Sequence, residues 1–194
     1  MKIKLSVNKK IINKNKIQKY MGYLDGYYRL SVNDFVNKVI KKGYSWTGGK
    51  FKNNHRHKKN FIQSEIIGID VDEGTQLNKI FNDKFTQENA LLLYTSTSHS
   101  KSNHRFRIVF KLPEPIKNSN EIEQIIKKLI KYYNSDSNCS DCSRIFYGNT
   151  NAKVKVFGKT LTDKQMLDTT LEQEESKAIH SSQLKSLYYV VSSY

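Results

Sequence analysis

The segment Ile66-Ile67-Gly68-Ile69-Asp70-Val71-Asp72 constrains the fold of this chain more than any other. It predicts a buried β-strand that ends in two carboxylates. Because strand side chains alternate between the two faces of a sheet, Asp70 and Asp72 share one face and the opposite face is apolar. Two acids cannot lie in an apolar core without a partner. They are therefore either oxygen ligands for hard divalent cations or solvated acids that precede a turn at Glu73-Gly74.

Two further strands follow this one in the chain. Residues 90–99 form an apolar run that ends at His99, and residues 104–112 alternate, with Phe and Ile on one face and Arg105 and Arg107 on the other. If the two strands pair as a hairpin, His99 and both arginines lie on one open sheet surface. A surface that carries Asp, Asp, His, Arg and Arg indicates a site for a metal-bound polyphosphate.

The composition is that of a folded protein with 194 residues, of which 37% are apolar. This length allows one cored domain and a smaller appendage, and we place them at residues 1–158 and 159–194. No apolar stretch is long enough to span a membrane, and the N-terminus lacks a signal-peptide core. With only two cysteines, we expect a soluble, cytoplasmic protein in a reducing compartment.

The positive charge is concentrated in the first third of the chain. Residues 1–60 contain 16 Lys and Arg and two Asp and Glu, so they carry +14 of the net +15. Basic residues interleaved with aromatic ones favour single-stranded nucleic acid as a partner, although an AT-rich genome also produces Lys-rich sequences. The predicted nucleic-acid-binding residues are Trp46, Lys50, Lys52, Arg56, Lys58 and Lys59, although Trp46 could instead fix its loop to the core.

The remaining pattern predicts elements around these strands. Residues 2–7 alternate as a strand, a weak helix covers residues 17–24, and a better helix begins at an N-cap, Ser31, and ends at Gly43. We expect Thr75 to cap a short helix, and Asn120 with Glu123 to open a long amphipathic one. Pro113 and Pro115 should end the preceding strand. Residues 144–148 and 153–157 are predicted strands, and two short helices should follow residue 162.

In this order the motifs resemble the archaeo-eukaryotic primase superfamily, the catalytic domain of primase-polymerases from plasmids, phages and mobile elements. Over roughly residues 44–157, the family's strand with two acids is similar to residues 67–72, and its strand end with a small residue and histidine is similar to Thr97-Ser98-His99. Its later acid is similar to Asp141, for which Asp136 is a competitor. The resemblance implies an α/β fold, with an RRM-like, mainly antiparallel sheet flanked by helices. The Gln-, Glu-, Ser- and Leu-rich composition after Thr162 adds a small helical C-terminal tail.

The resemblance also implies an activity, DNA primase or polymerase, and roles for particular residues. Two Mg²⁺ or Mn²⁺ ions about 4 Å apart would be held by the catalytic acids Asp70, Asp72 and Asp141. The incoming nucleoside triphosphate would be bound by Thr97, His99, Arg105, Arg107 and Arg144, since guanidinium groups bind phosphate in bidentate fashion. Implied partners are a single-stranded DNA template and nucleoside triphosphates, and a helicase or another replication protein would act in trans.

Other interpretations of the sequence stay open. A non-catalytic, RRM-like module for single-stranded or origin DNA would use the same sheet, but should expose aromatic residues on its central strands. A rolling-circle nuclease would need a His-hydrophobic-His pair, which His55-Arg56-His57 does not provide. Cys139 and Cys142 could join that histidine pair in a zinc site, although free thiols fit the spacing as well.

Overall fold

The computed structural model describes residues 1–10, 20, 22–72, 75–135 and 139–169. The predicted weak helix at residues 17–24, the competing acid Asp136 and most of the C-terminal tail lie wholly or largely outside these residues. Five helices occur in the described part: α1 Val32–Lys38, α2 Leu77–Asn82, α3 Lys84–Asn89, α4 Ser119–Tyr133 and α5 Lys164–Leu167. None of them is long and apolar enough to cross a membrane.

The strands of the described residues form two antiparallel sheets. The strands are β1 Lys2–Asn8, β2 Gly26–Ser31, β3 Ser45–Thr47, β4 Gly49–Phe51, β5 Phe61–Val71, β6 Leu92–Thr95, β7 Phe106–Ile116, β8 Phe146–Tyr147 and β9 Val154–Val156. One sheet has the order β2-β1-β3-β8 and the other the order β4-β5-β7-β6-β9. The predicted fold class, mixed α and β with antiparallel sheets flanked by helices, is confirmed.

Asp70 lies on β5, near the centre of the five-stranded sheet, and Asp72 follows directly after this strand. β5 pairs with β7 in a register that sets Asp70 opposite Arg107 and Val71 opposite Phe106, and β6 and β7 form the predicted hairpin. On one face of this sheet, Ile67, Ile69 and Val71 join an apolar core that α4 covers with the stripe that its sequence predicts. The alternation of the strand therefore directs Asp70 to the opposite face.

That opposite face packs against the four-stranded sheet and α1. The second core contains Trp46, Phe146 and Phe35 together with Ile66 and Val109 of the five-stranded sheet. Gly68 permits this close approach, since a Cβ there would lie 2.7 Å from the Phe146 ring and 3.0 Å from Trp46. Both faces of the central sheet are thus covered at the level of Gly68.

Helix α1 begins where the sequence predicts, but it ends at Lys38, five residues before the predicted stop at Gly43. Ser31 is its N-cap and its hydroxyl accepts a hydrogen bond from the Asp34 amide at 3.0 Å. A short 3-10 turn, Ile40–Lys42, follows the helix and closes at Gly43, whose φ of 73° is in the left-handed region that favours glycine. This tight turn leads directly into β3, and Trp46 of β3 therefore lies in the core between the sheets.

Three local predictions are wrong. The N-cap of α2 is Gln76 and not Thr75, and α4 begins two residues early, with Asn118 as its cap in place of Asn120. β7 also continues through Pro113 and Pro115 to Ile116. A proline is tolerated in a strand where its missing N–H needs no partner, and β6 pairs with β7 only between Phe106 and Val109, so one side of the proline segment lies at an edge.

The segment after β9 packs against the same core as α4. Leu161 is fully buried there, and Met166 and Leu167 of α5 lie against the cluster. The Leu161 amide also donates to the Lys111 carbonyl of β7 at 2.8 Å. Residues 159–169 therefore contribute to the core of the molecule, and one of the two short helices that the sequence predicts after residue 162 is α5.

Candidate functional site

The centre of the candidate site is a buried ion pair between Asp70 and Arg107. The two side chains lie side by side on β5 and β7, and Arg107 Nε donates to Asp70 Oδ1 at 2.7 Å. Asp70 is 7% exposed and Arg107 is 5% exposed. Burial alone would lower the pKa of Arg107, but Tyr94 and Asp70 raise it above its ordinary value. The pair therefore neutralises a carboxylate that the fold could not otherwise bury.

A hydrogen-bonded network behind this pair keeps Arg107 in place. Trp46 Nε1 donates to the Tyr94 hydroxyl at 2.9 Å, and that hydroxyl donates to the Tyr147 carbonyl at 3.1 Å. Arg107 donates to the same carbonyl. Burial raises the pKa of Tyr94 to about 12, so its phenol stays neutral and keeps its donor proton. Both sheets contribute to this network, which fixes the position of Asp70.

Arg144 approaches the other oxygen of the same carboxylate. Its Nη2 lies 3.6 Å from Asp70 Oδ2, and its side chain is about one-third exposed. Its Nε is buried and has no hydrogen-bond partner among the described residues. Unlike Arg107, Arg144 thus retains hydrogen-bonding capacity that a ligand could use.

Asp72 lies just beyond the end of β5, in a different environment from Asp70. Its carboxylate is half-buried and makes no hydrogen bond or ion pair with any residue that the structure describes. Alternation along the strand sets it on the same side as Asp70, one step closer to solvent. Asp72 is therefore the acid of this pair that can accept a ligand without breaking an internal contact.

The loop between β6 and β7 carries Thr97, His99 and Arg105. Thr97 is exposed, and the half-buried His99 accepts a hydrogen bond from the Arg105 amide through Nδ1 at 3.1 Å. Burial, His104 and Lys153 lower the pKa of His99 below its ordinary value. A neutral imidazole that accepts at Nδ1 carries its proton on Nε2, so His99 presents a neutral N–H donor. Arg105 Nε is buried and unpaired within the described residues.

The third predicted acid stands apart from the first two. Asp141 is exposed, and its Oδ1 accepts from the amide and the hydroxyl of Ser143 at 2.6 and 2.5 Å. Over the residues that the structure describes, no three His, Cys, Asp or Glu side chains are grouped so that they could hold a metal ion. The structure brings together Asp70, Arg107 and Arg144, and the role of Asp141 stays a prediction.

Two predicted ligand-binding roles conflict with burial. Trp46 is 0% exposed, stacks on Phe146 with ring centroids 4.8 Å apart and cannot reach a template, so its predicted role in binding nucleic acid is wrong. Arg107 was expected on an open sheet face, but the four-stranded sheet covers that face. The Arg107 guanidinium donates its hydrogen bonds to Asp70 and to the Tyr147 carbonyl, so it is not available to a triphosphate in this structure.

The other predicted nucleic-acid-binding residues lie at or near the surface. Lys50, Lys52, Lys58 and Lys59 are exposed. Lys58 forms an ion pair with Glu123 at 2.6 Å. Arg56 is half-buried, and its Nη1 donates to the Ser143 carbonyl at 2.7 Å, which links this basic segment to the loop that carries Arg144.

Cys139 and Cys142 are buried, and neither is part of a disulfide. Burial, together with Glu123 and Asp141, raises the pKa of Cys142 to about 12, so this thiol stays protonated at neutral pH. A zinc ligand must be a thiolate. The free-thiol and the zinc interpretations of the two cysteines both stay predictions.

Sequence reasoning missed Tyr94 and the Tyr147 carbonyl as supports of Asp70. Tyr94 stands in an apolar run, and only the pairing that sets it opposite Arg107 reveals its partner. Tyr147 contributes a backbone atom, so its residue type carries no signal.

The chain belongs to the VapE N-terminal domain family, whose model matches residues 22–175. Among curated proteins nothing matches it.

Two solved structures are similar to this one at 11% sequence identity. The crystal structure of primase RepB′ matches with a TM-score of 0.53 over 97% of this chain and 63% of that chain. The primase-polymerase (PrimPol) AEP domain of cyanophage S-2L matches with a TM-score of 0.49 over 86% of each chain. The chain thus spans less than two thirds of the RepB′ structure, with which it shares the fold.

Proposed function

We propose that this domain is a primase-polymerase that adds nucleotides to a growing strand along a single-stranded DNA template. The observation that carries the proposal is the asymmetric acid pair at the end of β5. Asp70 is held rigidly by Arg107, whereas Asp72 has no partner among the described residues. Arg144, which approaches Asp70, has a buried Nε without a partner among the described residues, so both an acid and an arginine of this site keep ligand-binding capacity.

The donor chemistry of the site suits Mg²⁺ or Mn²⁺. Both are hard cations that prefer carboxylate oxygen, and Asp72 together with Asp70 Oδ2 offers such atoms, because only Oδ1 of Asp70 is held closely. Asp141 is not grouped with these two acids in this structure, and its Oδ2, which accepts no hydrogen bond from a described residue, would have to approach them to serve as a third ligand. When bound, the cations would lower the pKa of the attacking hydroxyl and offset the charge of the departing pyrophosphate.

The protein's own groups would bind and orient the triphosphate. His99 would donate its Nε2–H to a phosphate oxygen, with the Thr97 hydroxyl beside it. Arg144 and Arg105 each have a buried Nε without a partner among the described residues, and a phosphate would satisfy both. Arg107 is assigned a different role from the predicted one, since it positions Asp70 and does not contact the substrate.

The test is strand synthesis with a labelled primer on a single-stranded template, with Mg²⁺ or Mn²⁺ and either ribo- or deoxynucleotides. Asp72→Asn is the decisive variant, because Asp72 supports no internal contact and its loss should leave the fold intact. Glu114→Gln on β7 is a matched control, since it removes an exposed carboxylate from another part of the same sheet. We expect synthesis by the wild type and by Glu114→Gln and none by Asp72→Asn, and primer-free products would add primase activity.

The same assay separates this proposal from the non-catalytic module. If the wild type binds single-stranded DNA but makes no product with either metal and either class of nucleotide, the binding module is the better account. Addition of a helicase or another replication protein then asks whether synthesis depends on a partner in trans. A covalent tyrosyl adduct on the DNA would instead favour the rolling-circle nuclease.

A further inference from the structure

Tyr23 is an exposed aromatic residue on a rigid backbone segment. It is 60% exposed, the most exposed aromatic side chain among the large apolar residues of the described chain. Residues 22–24 pair with residues 54–56, since the Leu24 amide donates to the Asn54 carbonyl at 2.9 Å and the Arg56 amide donates to the Gly22 carbonyl at 2.6 Å. The backbone that carries the Tyr23 ring is thus held by two hydrogen bonds, although the ring itself is not covered by the core.

His55 stands across this ladder from Tyr23. The two rings meet edge to face, with centroids 5.5 Å apart and an interplanar angle of 77°. The side-chain Nδ2 of Asn60 donates to the His55 carbonyl at 3.1 Å and lies 3.2 Å from the His55 Nδ1. His55 is thus fixed from both sides, and it supports one edge of the Tyr23 ring.

A cavity of about 340 Å³ opens beside Tyr23. Its lining includes Tyr20 and Lys10, whose Nζ lies 5.0 Å from the Tyr20 ring centroid. Asn8, Leu24 and Asp25 complete the lining that the structure describes. Its volume is within the range of pockets that bind small ligands, and it combines aromatic rings with a cation, the two features that recognise a base and its phosphate.

The basic segment 52–59 pairs with the backbone around Tyr23 and also contacts the loop that carries Arg144. Lys52 and Lys59 are exposed and make no ion pair with another described residue. Arg56, which follows His55, donates to the Ser143 carbonyl, and the next residue, Arg144, approaches Asp70. A polyanion that follows this path would leave Tyr23 and arrive at the acids.

We propose that Tyr23, together with Tyr20 and Lys10, binds an unpaired base of a single-stranded nucleic acid whose phosphates follow Lys52, Arg56 and Lys59. The positive charge of the segment favours a polyanion as the partner, and the exposed ring beside a cavity favours a polyanion that carries bases. This assignment replaces Trp46, which is buried, as the aromatic contact to the strand. It rests on the proposed function only in taking a single strand as the partner.

The test compares two labelled single-stranded oligonucleotides of equal length, one normal and one with abasic sugars, which keeps the phosphates and removes the bases. Their affinities are measured by fluorescence anisotropy for the wild type, Tyr23→Ala, Tyr23→Phe and Tyr132→Ala. The last is a matched control, because Tyr132 is also an exposed tyrosine, 45% exposed on α4. A chelator and the absence of nucleotides keep this readout independent of strand synthesis.

We expect Tyr23→Ala to lose about 5- to 100-fold in affinity for the normal strand, because one base–aromatic stack is removed. Its affinity for the abasic strand should equal that of the wild type. Tyr23→Phe and Tyr132→Ala should bind both strands as the wild type does. Equal losses of affinity for both strands would show that Tyr23 has a structural role. No loss of affinity would show that Tyr23 does not contact the strand and that its exposed ring binds another partner such as a protein. Either result overturns the inference, even if strand synthesis is observed.

Discussion

At the scale of single residues, Asp70 has two arginine partners with different duties. Arg107 is buried with it at 2.7 Å, whereas Arg144 is partly exposed and stays 3.6 Å away. Removing one member of a buried ion pair leaves an uncompensated charge, whereas a partly exposed pair is screened by water. The two arginines should therefore differ in their effect on stability.

Arg107→Met should lower the free energy of unfolding by about 3 kcal/mol or more, since Asp70 would remain buried without a partner. Arg144→Met should lower it by about 1 kcal/mol or less. Urea denaturation followed by circular dichroism measures both. The double variant Asp70→Leu/Arg107→Met should be more stable than the sum of the two single losses predicts. A loss below about 1 kcal/mol for Arg107→Met would contradict the assigned role.

His99 should titrate below the ordinary histidine pKa of 6.5, because burial, His104 and Lys153 disfavour its protonated form. The folded state then binds this proton less readily than the unfolded chain. Well above pH 6.5 the histidine is neutral in both states and does not affect the free energy of unfolding. As the pH falls through 6.5, the unfolded chain takes up the proton first, so the free energy of unfolding decreases.

Proton NMR of the imidazole Cε1–H signal measures the titration, and His99→Gln assigns the resonance by its disappearance. A His99 midpoint above 6.5 would contradict the neutral Nε2–H donor that the geometry implies.

At the scale of elements, the contact between the two sheets depends on the absence of a side chain at Gly68. A Cβ there would lie 2.7 Å from the Phe146 ring. Because both rings in contact with β5 are packed in the core, neither can move away without loss of contacts. The separation of the sheets, and with it the Tyr147 carbonyl that holds Arg107, is thus set by a glycine.

Gly68→Ala should destabilise the protein by about 1–3 kcal/mol through overpacking. The matched variant Phe146→Leu removes the ring that a new methyl group would strike. In the Phe146→Leu background, Gly68→Ala should lower the free energy of unfolding by less than it does in the wild type. Thermal unfolding of the two single variants and the double variant measures this difference. Simple additivity of the two substitutions would show that Gly68 does not set the sheet separation.

The sequence predicted those elements whose signals are local. The strand that ends at Asp70, the hairpin of β6 and β7, α1 with its Ser31 cap and the apolar stripe of α4 all follow from periodicity and capping chemistry. Helix boundaries at Thr75 and Asn120 failed because several polar residues near each start could serve as the cap. The predicted end of β7 at Pro113 was wrong because the sequence does not show which strand positions have no hydrogen-bonding neighbour, and a proline is tolerated at such positions.

The prediction failed where the outcome depends on long-range pairing. Alternation placed Arg107 and Asp70 on one face correctly, but the face itself is covered by a sheet built from β1, β2, β3 and β8, which are far apart in the chain. An arginine can be buried there only because register brings Asp70 and the Tyr147 carbonyl to it. Trp46 was misjudged for the same reason, since its basic neighbours in sequence are surface residues.

At the scale of the whole molecule, charge is distributed unequally between the first third and the rest of the chain. Residues 1–60 hold +14 of the net +15. Binding of a single strand by such a surface releases counterions, and each phosphate neutralised contributes about 0.7 to the salt dependence of the affinity.

Lys52→Gln and Lys59→Gln should each reduce the slope of log affinity against log salt concentration by about 0.7. Lys84→Gln is the control, because Lys84 is an exposed lysine on α3, outside the basic segment. Fluorescence anisotropy between about 50 and 200 mM salt provides the slopes. Equal slopes for all four proteins would place the strand elsewhere on the surface.

The central claim is that Asp72 acts on the substrate and does not maintain the fold. The most direct measurement is the rate of single-nucleotide addition to a primer by Asp72→Asn relative to the wild type, at saturating template and Mn²⁺. The account predicts a loss of at least about 100-fold with an unchanged melting temperature and unchanged affinity for single-stranded DNA, because a metal-bound step is removed and no internal contact is broken. Equal rates in the two proteins, or no addition by the wild type, would contradict it.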